Sequence, residues 1–378
     1  MTRESLAKFS KMAKPYLAVI FLQFGYAGLA IVVKFALNQG MSPYTYSLYR
    51  NVFAAVAVAP FAIFFERKVR PKMTISTFLK IMVLGFVGPV MQLDLFYSGM
   101  QYTTATFTAS VYNVLPAITF ILAWILRVEK VNMRKVHSQA KVLGTAVTIG
   151  GAMIMTLVKG PNIGLPWTKH TNLLQTATAL YSQQNIMKGD VMIIAACFFC
   201  AGFIILQAIT LKSYPAGLSL TTLICTVGAL QGSVVALVAE RKNLAAWALN
   251  WDTKLLAMVY SGVICSGVTY YLSGIIMKEK GPVFVTAFNP LGTIIAAIMG
   301  SFILAEHLDL GIALGAVGIM VGLYMVIWGQ KHDNVPSEST AGGQIVPVDE
   351  LSSTLVKPPT NQEPSDTTTA VVAGDEAV

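Results

Sequence analysis

Ten stretches of about twenty mostly apolar residues recur along this 378-residue chain, and they limit its fold more than any other feature. At 1.5 Å rise per residue, a helix needs about twenty such residues to cross a bilayer's hydrocarbon core. The runs cover residues 16–37, 44–65, 78–99, 103–126, 138–158, 190–211, 217–239, 254–275, 282–304 and 309–329. Lipid offers no hydrogen-bond partner, so every backbone N–H in a run must be satisfied within its own segment. Helices are therefore the expectation, and weak period-two alternation argues against a barrel. The first run is too long for a cleaved signal peptide and no small-residue cleavage site follows it, so it is read as a true span. Composition agrees: hydrophobic residues make up 55% of the chain and charged ones 12%, too few to clothe a soluble protein of this size. The fold class expected is an all-α polytopic membrane protein.

Charge is spread unevenly. Residues 331–378 hold eight acids and two bases, so the remainder carries the positive excess, in short segments between apolar runs. That placement reports membrane orientation and excludes nucleic acid as a partner. With the N-terminus inside, 19 of the 27 bases fall in inside segments, among them Arg3, Lys14, Arg67, Lys68, Arg70, Lys72, Arg127 and Lys280. Six fall outside, including Lys159, Arg241 and Lys242, and Lys34 and Arg50 lie within spans. Both termini are accordingly expected in the cytoplasm. The chain divides into a cytoplasmic N-terminus (1–15), a first five-helix unit (16–158), an external linker (159–189), a second unit (190–329) and a cytoplasmic tail (330–378). The tail, rich in Pro, Ser, Thr, Gly and acids, lacks the apolar content to fold alone and is expected to be disordered.

The two units match at an offset of roughly 172–177 residues. Ser42-Pro43 corresponds to Tyr214-Pro215, Glu66-Arg67-Lys68 to Glu240-Arg241-Lys242, and Ser98-Gly99 to Ser273-Gly274. Asn113 with Pro116 corresponds to Asn289-Pro290, Glu129 to Glu306, and Gly144 and Gly151 to Gly315 and Gly322. Five is an odd number, so the second copy enters the membrane from the opposite side. Inverted repeats of this kind are far more typical of transporters and channels than of membrane enzymes or receptors, and they place the substrate site near the midplane between the halves.

Several of these segments are specific. Gln23-Phe24-Gly25-Tyr26-Ala27-Gly28, Phe64-Phe65-Glu66-Arg67-Lys68, Asn113-Val114-Leu115-Pro116-Ala117-Ile118-Thr119-Phe120 and Gly281-Pro282-Val283-Phe284 together resemble the nodulin-like transporters of plants. These are also called walls-are-thin-related or UMAMIT proteins, of the EamA branch of the drug/metabolite transporter superfamily. The resemblance covers about residues 13–330. It implies two inverted EamA repeats of five helices and passive or gradient-coupled movement of amino acids, or in some members auxin. Two positions depart from the family pattern. Where many relatives read Pro-Val-x-Asp-Gln-Asn, this chain has Pro89-Val90-Met91-Gln92-Leu93-Asp94, and where relatives often carry Gln, Ser273 stands before Gly274. Both positions are cavity-lining candidates, so substrate identity transfers least.

A charge at the bilayer centre costs roughly 2.5–3.5 kcal/mol or more, so each one needs a reason. Lys34, Arg50 and Asp94 are the charges within spans, and all three fall in the outer layer of the first unit, about 5 to 9 Å from its edge. In the functional reading Arg50 or Lys34 meets a substrate carboxylate while Asp94 balances the charge or carries a proton. In the structural reading Lys34 snorkels to the interface and Arg50 pairs with Asp94. Pro116 and Pro290 break their helices beside Asn113 and Asn289, freeing carbonyls that can face a polar solute. Gln92, Tyr97, Tyr112, Ser266, Tyr270, Tyr271 and Ser273 complete the candidate lining. The glycines of the fifth and tenth spans allow close helix packing and a homodimer contact.

Enzyme signals are poor. The four histidines (His137, His170, His307, His332) lie in loops or tail, and no phosphate loop or nucleophile elbow is present. Cys197-x-x-Cys200 sits in an apolar span with no basic neighbour and reads as packing. The sequence therefore predicts a carrier of a small organic solute, an amino acid or related acid, with no metal or cofactor. Its expected location is the plasma membrane ahead of the vacuolar membrane. A non-transporting receptor or scaffold with a recruiting tail is the rival from another class.

Overall fold

In the computed structural model the residues described are 3–38, 40–68, 70–103, 105–129, 136–158, 162–163, 183–243, 247–249, 251–304 and 308–333. Most of the 159–189 linker, Glu306 and all of the tail beyond residue 333 lie outside them. Ten helices among the described residues are long and apolar enough to cross a membrane: Ala13–Val33, Pro43–Phe65, Ile75–Tyr102, Phe107–Ile125, Val136–Leu157, Ile186–Ser213, Gly217–Ala239, Thr253–Lys280, Pro282–Phe302 and Leu310–Gly329. They are numbered first to tenth span below. Among the described residues the strand pairing is a two-residue antiparallel match of Asn162–Ile163 with Leu308–Asp309, which ties the end of the fifth span to the start of the tenth.

The repeats are interlocked, and equivalent helices do the locking. The second and seventh spans lie side by side, as do the fifth and tenth. Both pairs run antiparallel. At one end of the first pair the Glu66 carboxylate accepts from the backbone N–H groups of Leu218 (2.9 Å) and Ser219 (2.7 Å), while Arg70 Nε donates to Ser219 Oγ at 3.1 Å. At the other end Ser42 Oγ, at the head of the second span, donates to Glu240 Oε1 at 2.6 Å. The repeated Glu-Arg-Lys motif thus ends each helix with a carboxylate that reaches the start of its equivalent. An anion at a helix N-terminus meets unsatisfied N–H groups and the positive end of the dipole, worth about 0.3–1 kcal/mol each at the surface.

The fifth and tenth spans meet backbone to backbone. A Cβ added at Gly144 would sit 2.8 Å from the Gly322 carbonyl oxygen, and one at Gly151 2.6 Å from the Ile319 nitrogen. From the other side, a Cβ at Gly315 would lie 2.6 Å from the Gly151 oxygen, and one at Gly322 2.4 Å from the Thr148 nitrogen. Lipid supplies no hydrophobic drive between helices, so close van der Waals contact at small residues holds such pairs. This glycine stripe is consumed within the chain and offers no surface to a second copy.

The other spans fill in around these pairs. The third packs on the sixth and seventh, and the eighth on the first and second. Both the third and eighth contain a π-helical stretch, Phe86–Gln92 and Ser261–Val268. The fourth and ninth are each broken in two, at Val114 and at Phe288, two residues ahead of Pro116 and Pro290. The proline ring cannot sit against the preceding turn, and its missing N–H leaves carbonyls unmatched.

Two measurements test this packing. Gly151→Leu should lower the melting temperature of the purified protein sharply or prevent its recovery, since overpacking costs about 1–3 kcal/mol or more. The neighbouring Gly150→Leu, where an added Cβ meets nothing within 4 Å, should leave it unchanged. Cysteines placed at Lys72 and Arg241, beyond opposite ends of the antiparallel second and seventh spans, should be labelled from opposite sides of the membrane.

Candidate functional site

The second span begins with Pro43, whose fixed φ suits the first helical turn. From there Tyr46, Ser47, Arg50, Asn51, Ala54 and Val58 recur at helical spacing and are all buried. One face of this helix therefore carries a polar stripe into the protein, and Arg50 is its charge. The eighth span comes hard against it, because a Cβ at Gly262 would lie 2.6 Å from the Arg50 carbonyl oxygen. That approach lets the π-helical stretch of the eighth span present Ser266.

Arg50 is 3% exposed. Its Nε donates to Ser266 Oγ and one terminal nitrogen donates to Tyr97 OH, both at 2.8 Å. The guanidinium is thus held by the third span of its own repeat and the eighth span of the other. Both partners are neutral. Arg50 and Asp94 form no ion pair, and among the described residues the ion pair that stands out is Lys141–Glu129 at 3.1 Å, far along the chain. A guanidinium carries five N–H donors, so those not used by Ser266 and Tyr97 remain for an incoming acceptor.

Aromatic rings surround this charge. Tyr46 and Tyr97 meet edge to face at 4.8 Å, Phe96 and Tyr97 at 5.1 Å, and Phe96 and Tyr112 at 4.7 Å. Gln92 Nε2 donates to Tyr112 OH at 3.2 Å, closing the chain of rings between the third and fourth spans. Phe203 packs on Tyr270 at 5.0 Å, and the Gln207 amide donates to the Tyr270 carbonyl at 3.0 Å. Tyr26 of the first span is near Arg50, Cys200, Cys265 and Tyr270, residues of three other helices, yet stays 37% exposed. The surroundings of this guanidinium are therefore aromatic.

The remaining candidates fall into separate places. Asp94 is buried beside Ser47, and its Oδ1 has no hydrogen-bond partner. Asn113, 2% exposed, accepts from Thr293 Oγ1 at 3.0 Å, a bond between the fourth span and the ninth, while its Nδ2 is unpartnered. Pro116 and Pro290 are buried, and Asn289 and Ser273 are half-buried without side-chain hydrogen bonds. Tyr271 points to the start of the seventh span, where a Cβ at Gly217 would touch its ring, and is not part of the Arg50 cluster. Lys34 lies in the first helix, but its side chain is outside the described residues.

Sequence reasoning overlooked Ser47 and Asn51, although both share the helical face of Arg50. Ser47 Oγ (3.1 Å) and Asn51 Nδ2 (3.3 Å) donate to the Pro89 carbonyl, inside the π-helical stretch of the third span. It also overlooked Tyr26 and Phe96, since a ring in an apolar run looks the same whether it faces lipid or its neighbouring helices. Two shallow grooves of about 460 and 320 Å³ on the outer surface are lined mostly by apolar side chains and hold none of the candidate residues.

Arg50→Gln should weaken solute affinity by roughly ten- to a hundredfold, the worth of about 1.5–3 kcal/mol for a hydrogen bond to a charged group. Arg50→Lys should restore little, because an ammonium cannot span Ser266 and Tyr97 while also meeting a solute. Transport kinetics of the two variants, at matched amounts of folded protein, provide the check.

The comparisons with known proteins agree with this architecture. The EamA-like transporter family model matches residues 13–157 and again residues 187–328, once per repeat. Among similar proteins, the WAT1-related protein At2g39510 of Arabidopsis thaliana is 57% identical over 329 residues, 87% of this chain and 88% of the relative. The WAT1-related proteins At2g37460 and At4g08290 of the same plant are 53% and 51% identical, each over 85% of this chain and 84% of their own length. A protein of known crystal structure, 11% identical, shares the fold with a TM-score of 0.64 over 85% of this chain and 99% of its own. On these grounds the chain belongs to the EamA-like transporter family, among its plant WAT1-related members.

Proposed function

We propose that this protein is a carrier for small amino acids or related organic acids, and that the solute's carboxylate binds Arg50. The observation that supports this most is a buried guanidinium with no acidic partner, held by one hydrogen bond from each repeat. Burying a charge unpaired is costly unless a counter-ion arrives. A solute carboxylate meets that need, and the surrounding rings suit its apolar part. Movement follows from the same bonds, because shifting one repeat against the other must remake the contact between Arg50 and Ser266. The glycine seam between the fifth and tenth spans, already at backbone contact, then serves as pivot, and the cavity opens alternately to the two sides.

The aromatic walls favour a second solute in the same site, an indole-type carboxylic acid such as auxin. Charge distribution supports cytoplasmic termini, and the plasma membrane is proposed ahead of the vacuolar membrane. Uptake of a labelled amino-acid panel and of labelled indole acetic acid into liposomes holding the purified protein tests the proposal. Saturable flux of at least one solute, lost in Arg50→Gln, is expected. No flux for any of them would refute the carrier reading. Removing residues 334–378 should leave that flux intact, whereas a scaffold acting through its tail would lose its function.

A further inference from the structure

We infer that Asp94 is a proton-binding site, and that a proton held there crosses the membrane together with the organic anion on Arg50. The inference rests on the carrier reading above and adds the coupling ion to it. Asp94 is 9% exposed, and its Oδ1 is sealed from solvent with no hydrogen-bond partner. Its near neighbour is Ser47, whose single hydroxyl hydrogen serves both the Asp94 carboxyl and the Pro89 carbonyl. A carboxylate with one oxygen sealed and unmatched in such a place is neutralised by a proton.

Among the described residues no other charge in the surroundings does that work, the side chain of Lys34 lying outside them. On the second span Arg50 is engaged by Ser266 and Tyr97, and Tyr46 is packed on the Tyr97 ring. On the sixth span Cys197 faces the Val111 carbonyl, Asp190 accepts from Thr103, and Lys188 is exposed. On the fourth, Tyr112 is held by Gln92. Asn51, one helical turn from Ser47, has a second unmet acceptor in its Oδ1, and the hydroxyls of Tyr46 and Ser98 are buried without a partner as well.

The geometry links this proton to the solute. Ser47 and Arg50 are three apart on one face of the second span, and Asp94 and Tyr97 are three apart on one face of the third. The same two helices therefore meet twice on adjacent turns, once at Asp94 beside Ser47 and once at Tyr97 bonded to Arg50. In the loaded carrier, Asp94 is the neutral acid and Arg50 holds the solute anion. After release, the Asp94 proton passes to water on that side, and the empty carrier returns with a carboxylate on the third span and a guanidinium on the second. One proton and one monoanion then move together with no net charge.

Infrared spectroscopy of the protein in lipid needs no knowledge of the solute. The C=O band of a buried carboxylic acid should be present at neutral pH in the native protein, absent in Asp94→Asn and displaced in Asp94→Glu. A native spectrum without that band, or one unchanged in Asp94→Asn, overturns the assignment. In liposomes given the labelled amino-acid panel and indole acetic acid, a gradient of about one pH unit should drive up to roughly tenfold accumulation. The ratio of gradient-driven to exchange flux should collapse in Asp94→Asn and recover in Asp94→Glu. Native flux that ignores the gradient defeats the coupling alone, whereas no flux at all defeats the carrier reading as well.

Discussion

Antiparallel contact between equivalent helices is the constraint on which the rest of this structure depends. The second span lies along the seventh and the fifth along the tenth, so each repeat completes its partner rather than folding beside it. In the fifth–tenth pair the contact is steric, glycine against backbone over two turns. In the second–seventh pair it is electrostatic, with Glu66 and Glu240 each reaching the head of the opposite helix. The carboxylate contacts work only if the equivalent helices point opposite ways. An inverted repeat is thus a packing requirement here as well as a record of duplication.

That arrangement also explains why the site lies where it does. A bilayer penalises unsatisfied polar groups, so polar side chains collect where the helices themselves are irregular. The π-helical stretch of the third span offers the Pro89 carbonyl to Ser47 and Asn51, and that of the eighth brings Ser266 to Arg50. The breaks at Val114 and Phe288 leave Asn113 to bond Thr293 across the repeats. Each irregularity has a counterpart in the other half. The polar groups so gathered come from both repeats, and relative movement of the repeats reshapes them together.

Much of this was legible in the residues. Ten apolar runs, an odd number per half and the matched Glu-Arg-Lys, Asn-Pro and paired-glycine positions led to the inverted ten-helix fold without coordinates. Arg50 was legible too, because a charge in an apolar run is conspicuous. Its partners were less so. The sequence suggested Asp94 as its mate, yet Tyr97 and Ser266 hold it, since distance along a span says how deep a side chain lies but not which way it faces. The glycine stripe, read as a surface for a neighbour or a second chain, is used up inside the molecule.

Sequence by itself determined what the solvent demands: how many helices, how long, in which repeat, and which few charges must find shelter. Those follow from the cost of exposing backbone and charge to lipid, a cost each segment bears alone. Tertiary structure decided the azimuth of each helix, and with it which residues meet. Arg50 faces two hydroxyls and Asp94 faces Ser47, because rotation about a helix axis is set by neighbours packed at close range. No single run of residues carries that information.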